Sequence, residues 1–345
     1  MRLLHIVRRY GPVGGMERYV WETTKELARL GHEVQVLCEY CPVEKPPGIK
    51  VHELGTMFYR PRWLYYWRFG QRVKKWLCGH PQPGWIIHSH ERIGVHDVTT
   101  FHGPPFASVR DKPWWKKISL RVAMQLYMEK RELRVAKCIV PNSRIIARLL
   151  ANYYPEYAEK ITSPVVPGVL PGATRTRRKV PLDGGVVGFV GIEWKRKGLP
   201  FAIKIVQRLR SRRPGLEFCV VGPLQEEVQH LFAGWQSGYR LLGRCKDVEY
   251  AEFDVLLHPA RAEPYGMVIA EAMAASVPVV ISDTCGAADE VIPDAGTVLP
   301  LSASLDAWVD AVEGQLIREA PVPKYERGWD RVASEFERIY GKVQR

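Results

Sequence analysis

The hydrophobic positions of this chain fall into short apolar runs separated by longer stretches of helical period. An apolar run bounded by turn residues predicts a strand buried on both faces, and apolar residues every three or four positions predict a helix. In the first half the strand-like runs are LLHIV, VQVLC, WIIHSH, VTTFHG and KCIVPNS. Such alternation is typical of a parallel, doubly wound α/β sheet, in which ligands bind at the carboxyl ends of the strands.

The pattern restarts in the second half, with the strand-like runs VVGFVG, EFCVVG, YRLLG, DVLLHP and VPVVIS. Between the halves, PGATRTRRKVPLDGG is rich in Pro, Gly and Arg and lacks apolar periodicity, which is typical of a linker. We therefore expect a first domain over 1–170, a linker over 171–183, a second domain over 184–324 and a closing helix over 325–345. The length of 345 residues also fits two domains better than one.

The loop GPVGG joins the first strand to a helix expected from about Met16 to Leu30, with Gly31 as its stop. Gly14 and Gly15 permit a close approach of the backbone between the first strand and the following helix. One interpretation is therefore that they line a ligand-binding cleft, below a bound phosphate and an acceptor molecule. A tight turn without a ligand is the other interpretation. The loop is not a dinucleotide fingerprint, because GxGxxG is absent, and GxxxxGK[ST] is absent as well.

Composition narrows the class of protein. With 46% hydrophobic and 25% charged residues the chain is expected to be globular, and no apolar run approaches the roughly 20 residues that span a bilayer. The seven cysteines are odd in number and scattered, so we expect no disulfide framework and a reducing cytoplasm. Cys38 and Cys41 form a CxxC without a partner pair, which is weak grounds for a zinc site.

The net charge of +13 lies entirely in the first half. Residues 1–170 contain 27 Lys and Arg against 14 Asp and Glu, whereas residues 171–345 contain 23 of each sign. Two segments of this half, 61–77 and 111–137, mix aromatic residues with cations, and Asp111 and Pro113 are expected to open a helix. This composition favours binding to an anionic membrane surface. A helix that packs its aromatics internally is the alternative, and nucleic acid is not expected because no nucleic-acid-binding motif accompanies these segments.

The candidate chemistry lies in the second half. Glu263 occupies the loop after the strand DVLLHP, and Glu271 lies on the helix that begins near Gly266. At that helix start the N–H groups of Gly266, Met267 and Val268 have no intrahelical partner, so they form a ready anion site. Glu271 is placed to accept hydrogen bonds from sugar hydroxyls of a nucleotide, although a pair of solvated glutamates would show the same spacing.

A second cationic group follows the strand VVGFVG. Arg196 and Lys197 precede Gly198 at the carboxyl end of this strand, and Lys195 adds a third cation. Two cations at such a position suit a diphosphate that gains charge as a sugar departs. A plain basic loop with solvated side chains is the alternative.

Several of these motifs resemble those of the retaining, GT-B-fold glycosyltransferases of family 4. The acidic motif of that family opens with Glu-Pro-Phe-Gly, and this sequence has Glu263-Pro264-Tyr265-Gly266. The resemblance runs nearly end to end through the glycine loop, LARLGHEV, IIHSH, TFHG, FVG…RKG and GWDRVASEFERIY. LLHP, TCG and WKRKG are most similar to the lipopolysaccharide core glucosyltransferases within the family.

The resemblance implies a GT-B fold, with two doubly wound Rossmann-like domains facing a central cleft and the closing helix crossing back to the first domain. It assigns the donor pyrophosphate to Arg196 and Lys197. Because Ile192 occupies the family's usual arginine position, the role of that arginine passes to Arg196. It also implies that Glu263, His102, Arg196 and Lys197 are catalytic residues, with Glu263 and His102 beside the transferred sugar.

The remaining expectations concern residues around this site. His88 is expected to be structural, His90 to line the acceptor side, and Glu290 to lie near the donor without contacting it directly. The expected donor-binding residues are Gly14, Gly15, Arg196, Lys197, Gly266, Met267, Val268 and Glu271.

The resemblance implies a hexosyltransferase that moves a hexose, with retention, from a nucleotide diphosphate sugar to a lipid-linked glycan. UDP-glucose is the expected donor and lipopolysaccharide core the expected acceptor. No Asp-x-Asp motif is present to hold a divalent cation on the diphosphate, so we expect no metal and no cofactor. The expected location is peripheral, on the inner face of the cytoplasmic membrane. A sugar-nucleotide epimerase of the same fold and a non-catalytic membrane-surface protein are the alternatives.

Overall fold

The computed structural model describes residues 1–57, 60–176 and 179–344. Its strands are β1 Arg2–Ile6, β2 Glu33–Cys38, β3 Ile49–Glu53, β4 Ile86–Ser89, β5 Val98–Phe101, β6 Cys138–Pro141, β7 Gly184–Val190, β8 Gly215–Val221, β9 Tyr239–Gly243, β10 Val255–His258, β11 Val279–Ser282 and β12 Gly296–Leu299. Its α-helices are α1 Gly15–Arg29, α2 Arg62–Gly79, α3 Leu120–Val135, α4 Arg144–Tyr153, α5 Leu199–Arg210, α6 Gln225–Val228, α7 Met267–Ala274, α8 Leu305–Leu316 and α9 Trp329–Val343.

The chain divides into two compact units, Met1–Gly168 with Gly328–Arg345, and Val169–Arg327. Each unit contains a six-stranded sheet, in the orders β3-β2-β1-β4-β5-β6 and β12-β11-β10-β7-β8-β9. All neighbouring strands pair in parallel. The expected pair of doubly wound, Rossmann-like sheets is therefore confirmed.

The central strand β1 shows why the apolar runs are continuous. Leu3, Leu4 and Ile6 are completely buried, because helices cover both faces of a parallel sheet and leave no solvent-facing side. His5 interrupts this run and is equally buried. A fully buried imidazole in a central strand needs polar partners, and the first unit supplies them.

The closing helix α9 packs against α1 and belongs to the first unit. Phe336 and Tyr340 are completely buried in this unit, and Glu337 pairs with His32 at 2.7 Å. The helix begins at Trp329 and not at Tyr325. Tyr325 lies in the second unit, where its N–H donates to a carbonyl of α7 at 3.2 Å.

The segment 171–183, expected to be a linker, lies in the second unit; its residues 177 and 178 fall outside the described ones. Arg175 anchors it by an ion pair with the buried Asp254 at 2.7 Å. Its N–H also donates to the carbonyl of Ala275 at 2.8 Å. Local composition could not reveal these partners, because both lie far along the chain.

The helix expected to open at Asp111 and Pro113 begins instead at Leu120, so that expectation is wrong. The hydroxyl of Ser119 accepts from the N–H of Val122 at 3.2 Å and caps the helix there. Residues 111–120 are all exposed, and they include the short 3-10 turn Trp114–Lys116. The exposed residues include Trp114, Trp115, Ile118 and Leu120, at 62–72% of their surface.

The other aromatic and basic segment, 61–77, behaves differently because it forms most of α2. Tyr65, Phe69 and Val73 are buried in the first unit, while Trp67 is 37% exposed. Among the described residues, no helix has the length and apolarity needed to cross a membrane. All seven cysteines of the chain are unpaired.

Candidate active site

Glu263 is held by the loop that follows β10 in the second unit. Its backbone continues the parallel pairing of the sheet and forms an isolated bridge with Cys285, after β11. Its N–H donates to the carbonyl of Thr284 at 3.2 Å, and its carbonyl accepts from Gly286 at 2.9 Å. The backbone of Glu263 is therefore fixed at the carboxyl edge of the sheet, where doubly wound folds bind ligands.

The Glu263 carboxylate lies against both predicted phosphate-binding cations. Its Oε2 is 3.0 Å from Lys197 Nζ, 3.4 Å from an Arg196 nitrogen and 3.6 Å from His258 Nε2. Burial would by itself raise the pKa of Glu263, but His258, Lys197 and Arg196 outweigh it and lower this pKa to about 2. Glu263 is therefore ionised near neutral pH, so it can accept hydrogen bonds but has no proton to donate.

The loop after β7 separates its three cations into two groups. Arg196 bridges two carboxylates, since its Nε also donates to the exposed Glu193 at 3.0 Å. Lys195 is exposed and lies over the ring of Trp194, 4.9 Å from its centre. Ile192, at the family's usual arginine position, is 57% exposed. Lys195 and Ile192 therefore have no part in the Glu263 cluster.

Gly266 connects the Glu263 loop to α7. Its φ of 98° lies in the left-handed region that favours glycine, and an added Cβ would lie 2.8 Å from the side chain of Ile269. The N–H groups of Met267 and Val268 lie in the first turn and therefore have no intrahelical acceptor, and among the described residues no side chain caps this helix. Together with the positive end of the helix dipole, these groups suit a phosphate.

Glu271 lies on the second turn of α7 and has a different partner from Glu263. One of its carboxylate oxygens accepts a hydrogen bond from the hydroxyl of Tyr250 at 2.6 Å. Glu271 is half-buried, and this bond orients its carboxylate. The two acidic residues of the motif thus differ in chemistry, because one neutralises cations and the other pairs with a neutral hydroxyl.

Tyr265 stands where the family motif has Phe, and its additional hydroxyl lies next to another hydroxyl. The hydroxyl of Tyr265 lies 3.4 Å from that of Tyr325, which donates to Glu290 at 3.0 Å. Tyr265 is buried, and its hydroxyl therefore has a polar partner. Tyr325 thus links the carboxylate of Glu290 to the hydroxyl of Tyr265.

His102 follows β5 in the first unit. Its Nε2 lies 3.0 Å from His90 Nδ1, and the ring of Tyr19 packs edge-on against it with centres 5.0 Å apart. His102 is half-buried, and burial of its ring lowers the pKa of His102 to about 3. At neutral pH His102 is therefore an uncharged hydrogen-bonding group.

Gly14 and Gly15 form the start of α1. Gly14 is the N-cap in an extended conformation, and its carbonyl accepts from the N–H of Arg18 at 2.8 Å. Beside it, Glu17 forms an ion pair with Arg9. The glycines lie beyond the carboxyl end of β1, and their contact with a donor stays a prediction.

Three buried imidazoles, His5, His88 and His90, lie close enough to hold a metal, with one nitrogen of each within 4.8 Å of the others. Both nitrogens of His88 already have partners, Tyr340 and Thr100, at 2.7 and 2.8 Å. The rings of His5 and His90 share a hydrogen bond of 3.1 Å. Hydrogen bonding therefore accounts for the arrangement without an ion.

Sequence reasoning missed Tyr250 and His258. His258 is completely buried, and neither of its ring nitrogens has a hydrogen-bond partner among the described residues. The available sequence signal for His258 was its position at the end of a buried strand, before the loop that carries Glu263. Tyr250 gave no such signal, because folding alone brings it next to Glu271.

Two family models match the chain. The model described as glycosyl transferases group 1 matches residues 184–317, and that of glycosyltransferase family 4 matches residues 13–163. A D-inositol 3-phosphate glycosyltransferase of Stackebrandtia nassauensis is 25% identical over 362 residues, covering 90% of this chain and 80% of the relative. A phosphatidyl-myo-inositol mannosyltransferase of Mycolicibacterium smegmatis is 25% identical over 361 residues, covering 96% and 90%.

The fold is similar to that of solved glycosyltransferases. The crystal structure of WaaG, a glycosyltransferase involved in lipopolysaccharide biosynthesis, superimposes with a TM-score of 0.75 and 19% identity. The match covers 99% of this chain and 95% of WaaG. The two matched family models and the two parallel sheets agree, and the chain belongs to the GT-B-fold glycosyltransferases of family 4.

Proposed function

We propose that the protein is a retaining hexosyltransferase that moves glucose from UDP-glucose to a lipid-linked glycan such as lipopolysaccharide core. Family membership supports glycosyl transfer from a nucleotide sugar to a glycan. The observation that carries the site is the Glu263 carboxylate shared by Arg196 and Lys197, next to the uncapped start of α7. A lipid-linked acceptor is supported by two similar proteins, the phosphatidyl-myo-inositol mannosyltransferase and WaaG.

In this proposal the second unit stabilises the leaving group. As the bond between the sugar and the diphosphate breaks, the departing oxygen gains negative charge. Arg196, Lys197 and the N–H groups of Met267 and Val268 stabilise that charge, with no metal required. The acceptor hydroxyl attacks from the leaving-group side, and its proton passes to the departing phosphate. The new glycosidic bond therefore keeps the configuration of the old one.

Glu263 and His102 are assigned to the transferred sugar. Because Glu263 is ionised, it serves as an acceptor for a sugar hydroxyl and as the counter-charge that positions Lys197 and Arg196. Neutral His102 serves as a hydrogen-bond partner and not as a cation. Glu271 is assigned to the ribose hydroxyls, with its carboxylate oriented by Tyr250.

We expect UDP to raise the melting temperature of the wild-type protein more than GDP, ADP or CMP does. Binding at about 100 times the Kd stabilises a protein by roughly 2.7 kcal/mol, which is easily measured by thermal shift. The replacement Glu271→Ala should abolish this shift, because the ribose loses its acceptor, and EDTA should leave the wild-type shift unchanged.

The control is Glu313→Ala, which removes a surface glutamate that pairs with Arg212 in the same unit at 2.8 Å. This variant should respond to UDP as the wild type does. A UDP response that survives Glu271→Ala would contradict the ribose assignment. Conversion of UDP-glucose to another UDP-sugar without an acceptor would favour the epimerase.

We further propose that the loop 112–121, in which we include the first two residues of α3, binds the inner face of the cytoplasmic membrane. Exposed Trp114, Trp115 and Ile118 favour the interfacial region, and Lys112, Lys116, Lys117 and Arg121 supply positive charge. Each such cation near an anionic surface contributes about 1 kcal/mol. The unpaired cysteines are compatible with a reducing compartment. The segment 61–77 is not included, because its apolar face packs inside the first unit.

The double replacement of Trp114 and Trp115 by Ser should lower co-flotation with phosphatidylglycerol vesicles at least about tenfold, since both interfacial indoles are lost. Binding of the wild type should weaken as salt is raised, because salt screens the cations. Trp67→Ser, on α2, is the matched control and should float like the wild type. Equal flotation of all three proteins would rule out this loop as the membrane contact.

A further inference from the structure

Four histidines occupy the carboxyl ends of neighbouring strands in the first unit. His5 on β1 and His88 on β4 are register partners, His90 follows β4, and His102 follows β5. The first three are at most 4% exposed. The fold has therefore collected four imidazoles at the edge where a doubly wound sheet binds its ligands.

These rings form one continuous series of hydrogen bonds, which we call the histidine network. Its members, from the interior outward, are Thr100, His88, Tyr340, His5, His90 and His102. The successive distances are 2.8, 2.7, 3.4, 3.1 and 3.0 Å. Tyr340 of α9 bridges two imidazoles, so the closing helix of the chain completes the network.

The rings in this network are uncharged. Burial lowers the pKa of His5 to about 3 and lowers those of His88 and His90 well below the usual value. A neutral imidazole carries one proton on its two nitrogens, so one nitrogen donates and the other accepts. The two hydrogen bonds that join His5, His90 and His102 can therefore form only if all three rings carry the proton on the same kind of nitrogen.

Only two arrangements of these three rings meet this condition. In the first, the Nδ1–H groups of His5 and His90 donate outward and the Tyr340 hydroxyl can donate to His5, so His102 accepts at Nε2 and carries its proton on Nδ1. In the second, the bonds between the rings are reversed and His5 donates to Tyr340, so His102 donates from Nε2 and leaves Nδ1 as an acceptor. The Nδ1 atom of His102 has no partner among the described residues, so it is the atom available to a ligand.

We propose that the histidine network determines which ring nitrogen of His102 carries the proton, with His5, His90 and Tyr340 as positioning residues. The network thereby decides whether His102 offers a donor or an acceptor to a hydroxyl-bearing ligand. This inference rests on the proposed contact between His102 and the transferred sugar. The position of the proton can nevertheless be measured without any substrate.

The test is nuclear magnetic resonance of the full-length protein with ¹⁵N-labelled histidine, because nitrogen shifts distinguish protonated from unprotonated ring nitrogens. The signals of His102 are assigned with the variant His102→Gln. In the wild type we expect one dominant tautomer of His102. Tyr340→Phe removes one hydroxyl from the middle of the network, and it should change the nitrogen shifts of both His5 and His102.

Tyr19→Phe is the matched control. It also removes one hydroxyl, and the Tyr19 ring touches His102, but this hydroxyl donates to the carbonyl of Val165 at 2.9 Å and is outside the network. Tyr340→Phe should therefore affect His102 more than Tyr19→Phe does. The reverse order, or unchanged His102 shifts in Tyr340→Phe, would overturn the proposal. If Tyr340→Phe does not fold, Thr100→Val tests the same network from its inner end.

Two further readouts separate the alternatives. A change in the shifts of His5, His88 and His90 on adding EDTA would show that they hold a metal, and it would overturn the proposal. Tyr340→Phe should also lower kcat about fivefold, as expected for one lost hydrogen bond, with KM nearly unchanged. A changed tautomer with unchanged kcat would support the network and contradict only the contact of His102 with the sugar.

Discussion

Replacing Lys197 by Ala should lower kcat on the order of a hundredfold, because in the proposed mechanism the departing diphosphate then loses a cation aimed at its developing charge. Arg196→Ala should lower kcat at least tenfold for the same reason. Arg196→Lys should restore the activity only partly, since lysine cannot reproduce the planar guanidinium. The measurement is UDP release from UDP-glucose in the presence of a glycolipid acceptor.

The matched control for these variants is Lys195→Ala. Lys195 belongs to the same loop and carries the same charge, but it lies over Trp194 and not beside Glu263. Its removal should change kcat less than about twofold, because only a screened, exposed charge is lost. Equal losses in Lys195→Ala and Lys197→Ala would show that the loop contributes general positive charge and not a defined diphosphate site.

Loss of Lys197 also leaves the buried Glu263 with fewer partners, so stability must be measured beside activity. Removing one partner of a buried pair costs about 3–5 kcal/mol when the other charge stays uncompensated. Arg196 remains within 3.4 Å of Glu263, which reduces this cost. The double variant Lys197→Met with Glu263→Gln removes both charges, and it should regain stability without regaining activity.

Glu263→Gln should lower kcat at least tenfold while the protein remains folded. Glutamine keeps the shape of the side chain but removes the charge that holds Lys197 and Arg196 in place. Glu193→Gln is the control, because Glu193 also pairs with Arg196 but is exposed. Its effect should be small. Near-normal turnover in Glu263→Gln would contradict the assignment of this residue to the reaction.

Stability against pH gives an independent check on Glu263. The pKa of its carboxyl is lowered from 4.5 to about 2, so ionisation stabilises the folded state above pH 4.5. This contribution is lost as the pH falls through the folded pKa. The difference in melting temperature between wild type and Glu263→Gln should therefore be largest above pH 4.5 and shrink toward pH 2.

The strands and most helices could be predicted because their signals are local. Parallel strands covered on both faces need continuous apolar runs, and the predicted helix of 16–30 ends near Gly31 as expected, with φ at 87°. The start of α3 could not be placed in this way. Aspartate and serine are both residue types that cap helices, so the sequence permits a start after either Asp111 or Ser119. In the folded protein Ser119 is the cap, and the buried face of the helix begins at Val122.

The candidate site divides in the same manner. Arg196, Lys197, Glu263 and Gly266 could be proposed from the sequence because each follows a recognisable strand or opens a helix. The contact of Tyr250 with Glu271 and the bridge that Tyr340 makes between two histidines could not be predicted in this way. Such pairs have no fixed spacing in the sequence, because separate turns of the chain bring them together.

The sequence alone determined the class of fold, the two-domain organisation and the residue types of the proposed donor site, because hydrophobic period, helix starts and charged loops are local properties. Tertiary structure decided the partners. It placed Lys197 against a buried carboxylate, and it left Trp114 and Trp115 exposed while burying Tyr65 and Phe69 of α2. It also bridged His88 and His5 through Tyr340. These outcomes depend on which surfaces meet after folding, and side-chain pKa and exposure follow from those contacts.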